Sequence, residues 1–81
     1  MTVRRTERFR RSYEAAPDRI KLIFEKQITY LAEDLRHPSL RAKKYDETQD
    51  IWQARVNRDW RFYFQIEGGT YVLFDIIKHP K

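Results

Sequence analysis

The hydrophobic residues of this chain change period once, near residue 50, and that change restricts the fold more than any other feature. Upstream, Ile20, Phe24, Ile28, Leu31 and Leu35 recur at helical spacing, with Ile23 widening the stripe. The spacing predicts an amphipathic helix from Pro17 to about Leu35. Downstream, Trp52, Ala54 and Val56 alternate with polar Gln53 and Arg55, and Trp60-Arg61-Phe62-Tyr63-Phe64-Gln65-Ile66 keeps the same parity. A third run, Tyr71 to Ile77, places Val72, Phe74 and Ile76 on one face. Alternation marks strands with one buried side, and Asn57-Arg58-Asp59 and Gly68-Gly69-Thr70 separate the runs as turns. The expected architecture is α+β: two N-terminal helices packed on one face of a small, mostly antiparallel sheet.

Local signals sharpen the boundaries. Thr2 to Arg5 reads as a short first strand, and Thr6 as the cap of a helix over Glu7–Ala16, with Phe9 and Tyr13 on one face. Pro17 suits the first turn of the next helix, and Asp18 complements its N-terminal dipole. His37-Pro38 stops that helix, because a residue before proline is driven out of the helical region. Asp46 to Asp50 is turn-like. A two-residue Gly68-Gly69 turn would set Asp75 opposite Phe62, a carboxylate against the core. A three-residue Gly68–Thr70 turn sets Phe62 opposite Ile76 and Phe64 opposite Phe74, and is the expected register. It leaves Arg55, Arg61, Tyr63 and Asp75 on the exposed face, with His79 continuing that parity.

At 81 residues the chain reads as one domain spanning 1–81. It has no cysteine, so a disulfide framework and a thiolate metal site are excluded. No apolar run approaches a membrane span and no signal-peptide pattern opens the chain, so a cytoplasmic protein without a membrane partner is expected. Seventeen Lys and Arg against twelve Asp and Glu leave a formal charge of +5, which favours a polyanionic or acidic partner. The positive charge is clustered. Arg4, Arg5, Arg8, Arg10 and Arg11 crowd the start, and Arg36, His37, Arg41, Lys43 and Lys44 form a second group with no acid among them.

One sheet face would thus carry two arginines, a tyrosine, a carboxylate and a terminal histidine. RNA cleavage by its own 2′-hydroxyl needs a base, an acid for the leaving 5′-oxygen, and cations against the phosphorane charge. Arginine clamps phosphate through two parallel hydrogen bonds, and histidine moves protons near neutral pH. Arg55 and Arg61 are candidates for the first task and His79 for the second, with Arg41, Lys43, Lys44 and Tyr63 as further RNA contacts. Such chemistry needs no metal or other cofactor, and no His or carboxylate cluster here is spaced to hold a metal.

The order His37-Pro38-Ser39-Leu40, Ile51-Trp52-Gln53-Ala54-Arg55-Val56, Asp59-Trp60-Arg61-Phe62-Tyr63-Phe64 and Asp75-Ile76-Ile77-Lys78-His79 resembles the RelE/ParE superfamily of type II toxin–antitoxin toxins. The resemblance covers nearly the whole chain. It implies a ribosome-dependent endoribonuclease that cuts mRNA, inhibits translation and is silenced by a cognate antitoxin. In that light Arg55 and Arg61 match positions that contact the scissile phosphate. His79 matches the terminal proton-transfer histidine of YafQ-like and YoeB-like members. Asp59 and Trp60 match the Asp-Trp pair of the YafQ-like branch, as a catalytic and an RNA-binding residue, and Lys43-Lys44 lies where RelE-like members carry RNA-binding lysines.

The chain also departs from the pattern. His79 is followed by Pro80 and Lys81 rather than an aromatic residue, and Arg55 stands where some YafQ-like members carry a strand histidine. The general base is therefore open among Lys43, Lys44, Tyr63 and Tyr71. Two other functions share the resemblance: a ParE-like toxin that binds gyrase without nuclease chemistry, and a member that only binds RNA or antitoxin.

Overall fold

In a computed structural model that describes residues 2–79, strand β1 (Thr2–Arg5) leads into helices α1 (Glu7–Ala15) and α2 (Asp18–Glu33). A single 3-10 turn (Pro38–Leu40) then precedes β2 (Lys43–Asp46), β3 (Ile51–Arg55), β4 (Trp60–Glu67) and β5 (Thr70–Lys78). The α+β architecture is the expected one. The strand order is β1-β5-β4-β3-β2, with β1 parallel to β5 and the other pairs antiparallel.

The helix ends follow their local chemistry. Thr6 Oγ1 accepts from the Phe9 N–H at 3.1 Å, capping α1 as its position suggests. Pro17 caps α2 without a side-chain hydrogen bond, so that helix begins at Asp18. It ends at Glu33, two residues before Leu35, because Asp34 is already extended. Lys43–Asp46, which the sequence only led into the sheet, forms an edge strand paired to β3. The turn after it is built by Asp46, whose Oδ1 accepts from the N–H groups of Thr48 and Gln49.

The core lies between the helices and one sheet face. Phe9, Phe24, Leu31, Leu40, Phe62, Phe64 and Leu73 are completely buried, and the rings of Phe24 and Phe62 meet edge to face at 5.1 Å. Each such side chain contributes on the order of 1.5–3 kcal/mol.

The β4–β5 register differs from expectation in an instructive way. The hairpin closes through Gly68-Gly69 alone, Gly68 taking φ +58°, so that Glu67 pairs with Thr70 and Phe64 with Leu73 rather than Phe74. A β-bulge then shifts the frame: Tyr63 pairs with Asp75, and Phe62 with Ile76 as expected. The extra residue is Phe74. It lets Tyr71, Leu73 and Ile76 enter the core, where strict alternation would have offered Val72, Phe74 and Ile76. Asp75 is kept out of the core without reaching solvent, and this corrects its expected exposure. It is 7% exposed and accepts from Ser12 Oγ at 2.6 Å, from its neighbour Ile76 N–H at 2.9 Å, and from Arg8 at 3.2 Å.

Candidate active site

The face of β3 and β4 turned away from the helices carries Gln53 opposite Tyr63 and Arg55 opposite Arg61. The intervening pairs, Trp52–Phe64 and Ala54–Phe62, fill the core side, so the alternation that builds the core also lines up the polar face. An open cavity of about 670 Å³ lies on that face, lined by Arg41, Lys43, Lys44, Arg55, Arg61 and His79. Tyr45 and Gln53 complete its wall. Six of the expected site residues therefore converge.

The two arginines are held by main-chain oxygens. Arg55 Nε donates to the Asn57 carbonyl at 3.2 Å, and Arg61 Nη1 donates to the same oxygen at 2.8 Å and to those of Trp60 and Arg58. Among the described residues no carboxylate lies within ion-pair distance of Arg41, Lys43, Arg55 or Arg61. Burial, and next the Arg55 charge, pull the Arg61 guanidinium below its ordinary pKa. The arrangement disfavours its own charge and is relieved by an anion.

His79 is fixed by its backbone, its N–H donating to the Asp59 carbonyl at 2.6 Å. Its ring Nδ1 is buried and has no hydrogen-bond partner among the described residues. Such an atom costs free energy unless a ligand satisfies it.

The remaining expected residues lie elsewhere. Asp59 and Trp60 line a different cavity, of about 520 Å³, against Ile20 and Ile23 of α2, and Trp60 packs on the core. Trp60 has the parity of Phe62, which turns it to the helix side. Asp59 reaches the site through its carbonyl on His79. Tyr63 is 6% exposed rather than on an open surface, with Tyr45 edge-on at 5.0 Å and Phe74 at 6.1 Å. Burial raises its phenol pKa, and burial likewise raises that of Tyr71, which sits in the core. Lys44 donates to Asp50 at 3.0 Å, which raises its pKa, and lies over the Trp52 ring at 5.2 Å. Lys43 is exposed on the cavity wall.

Sequence reasoning allowed Gln27 a place beside Ile28 in the helical stripe but gave it no role at the site. This buried residue of α2 donates to the Arg55 carbonyl at 2.8 Å and the Ser39 carbonyl at 3.1 Å, tying β3 and the 3-10 turn to the helix. The available signal was a glutamine inside an apolar helical stripe. Among the described residues no group of His, Cys, Asp and Glu is arranged to hold a metal ion, and no helix is long and apolar enough to cross a membrane.

The sequence matches no protein-family model, and no curated protein matches it closely. Solved structures do resemble it. A YoeB/ParE toxin from Agrobacterium tumefaciens superposes with a TM-score of 0.81 at 14% identity, covering 99% of this chain and 100% of that one. YafQ from E. coli gives 0.78 at 15% identity, covering 94% and 90%. The toxin–antitoxin complex RelBE2 from Mycobacterium tuberculosis gives 0.74 at 22% identity, covering 99% and 92%. The chain has the fold of the RelE/ParE-superfamily toxins.

Proposed function

We propose that this chain is the toxin of a type II toxin–antitoxin pair and cuts mRNA on the ribosome, in the cytoplasm. The observation that carries the reading is the cross-strand Arg55–Arg61 pair, with no ion pair to a carboxylate among the described residues, beside a His79 ring nitrogen that none of them hydrogen-bonds. The two guanidiniums clamp the scissile phosphate and neutralise charge as the phosphorane forms. His79 takes the proton of the 2′-hydroxyl, whose oxygen bonds to phosphorus. The bond from phosphorus to the 5′-oxygen breaks, and the Lys43 ammonium supplies a proton to that oxygen. The products are a 2′,3′-cyclic phosphate and a 5′-hydroxyl end. Protein residues carry every proton in this scheme.

The fold likeness to a toxin held in a toxin–antitoxin complex, together with the formal charge of +5, supports an acidic antitoxin as the partner of this chain. The test is incubation of ribosomes programmed with a defined mRNA, with wild type and Arg61→Ala, mapping new 5′ ends. Wild type is expected to produce them and the variant to lose most of the rate. Intact mRNA with growth still arrested would turn the reading to a gyrase-binding toxin, and intact mRNA without arrest to a member that only binds.

A further inference from the structure

A second, smaller cavity of about 310 Å³ adjoins the first, and Arg41 lines both. Its other walls include Arg36, His37 and Trp52. The imidazole of His37 is backed by the Tyr30 ring, 3.9 Å away and 5° from parallel. The N–H of Ser39 donates to His37 Nδ1 at 3.2 Å, which leaves the proton of the neutral ring on Nε2. Arg36 and Arg41 make no ion pair among the described residues. Arg41 has φ +46° and ψ +44°, a left-handed conformation that a residue with a Cβ adopts at a cost. That backbone holds a cation at the junction of the two cavities.

We propose that the second cavity is a subsite for the nucleotide next to the cleaved linkage, with its base against the His37 imidazole and its phosphate between Arg36 and Arg41. The proposal rests on the ribonuclease reading and adds to it a place where a neighbouring base is held. One feature favours a nucleotide over a bare anion: the His37 imidazole on the cavity wall, backed by Tyr30, since every base offers a π-face. Arg41 would then bridge successive phosphates.

The test uses fluorescently labelled uridine oligonucleotides with a 2′-deoxy sugar at the central linkage, so that they bind without being cut. A dinucleotide is compared with the two trinucleotides extended at the 5′ or 3′ side. In wild type one extension should raise affinity about tenfold, and an abasic nucleotide there should lose most of that gain. Arg36→Ala, a change at an exposed position, should abolish the gain, lower the salt slope by about 0.7 and leave dinucleotide binding unchanged. A gain equal in wild type and Arg36→Ala, or no gain from either extension, overturns the subsite. Failure of the ribonuclease reading looks different: dinucleotide binding would then be absent, or indifferent to Arg55→Ala and Arg61→Ala.

Discussion

Arg55 and Arg61 face each other across β3 and β4, and both donate to the single carbonyl oxygen of Asn57, at 3.2 Å and 2.8 Å. Like charges directly opposite in a sheet cost roughly 0.2–1 kcal/mol. The main-chain oxygen orients the two groups, and among the described residues neither forms an ion pair with a carboxylate. Site and fold therefore pull in opposite directions at this pair, and ligands and substitutions should report that conflict.

Phosphate or sulfate should raise the melting temperature of the wild type, since an anion bound only by the folded state stabilises it by mass action. Arg61→Ala should melt at the wild-type temperature or slightly above it without anion, and should lose most of the anion-induced rise. Differential scanning calorimetry over a phosphate titration reads both. An equal rise in both proteins would move the anion site away from this pair.

His79→Gln keeps the size and hydrogen-bonding capacity of the side chain but removes its titration. Single-turnover cleavage of ribosome-bound mRNA should slow by about 10²–10⁴-fold and lose the acidic limb of its pH profile. Stability should change by no more than about 0.5 kcal/mol. Equal rates and profiles would remove His79 from the chemistry.

The two lysines, adjacent in sequence, should separate. Lys43→Ala should reduce the salt slope of RNA binding by about 0.7, because an exposed ammonium on the cavity wall is lost. Lys44→Ala breaks the contacts to Asp50 and Trp52 and should instead lower the denaturation midpoint. Salt titrations of binding and urea melts on both variants make the comparison, and reversed assignments would contradict it.

Asp75→Ala should destabilise by about 1–3 kcal/mol, since it strips partners from the half-buried Ser12 hydroxyl and the buried Ile76 N–H beside the bulge. Arg8→Ala should cost less than about 1 kcal/mol, its side chain being 70% exposed. Urea denaturation should rank them in that order.

Glu25 gives the fold an acid-sensitive element. Hydrogen bonds from Arg5, at 2.8 and 3.1 Å, hold its carboxyl below the usual value of 4.5, and the Tyr13 hydroxyl at 2.6 Å adds to this. A depressed folded-state pKa contributes stability that is present above about pH 4.5 and disappears as pH falls through the lower folded value. Glu25→Gln should therefore lower stability at pH 7 and flatten its decline between about pH 5 and 2. Chemical denaturation across that range would show parallel curves if the carboxyl did not contribute.

Much of this was readable from residue order. The period change near residue 50 separates helices from strands, and the even positions of β3 and β4 supply the core while Arg55 and Arg61 take the other face. The β4–β5 turn and the first half of β5 were not readable, because a bulge inserts a residue where alternation counts none; it set Leu73 rather than Phe74 opposite Phe64, while Phe62 meets Ile76 as expected. Trp60 and Asp59 were drawn to the site by motif, although Trp60 shares the parity of Phe62 and so faces α2. The role of Gln27 was not readable because its partners are carbonyls at Ser39 and Arg55, contacts that exist only after tertiary folding.

The parallel pairing of β1 with β5 has a consequence for biosynthesis. Thr2 and Thr70 join hydroxyls at 2.8 Å across a separation of 68 positions, and β5 stands between β1 and every other strand. While the chain is being made, β1 emerges first and has no strand to join until β5 follows. Late in that interval the growing polypeptide carries both arginines but not His79, which follows β5. The sheet face that gathers Arg55, Arg61 and His79 is therefore complete only once the last strand has been made.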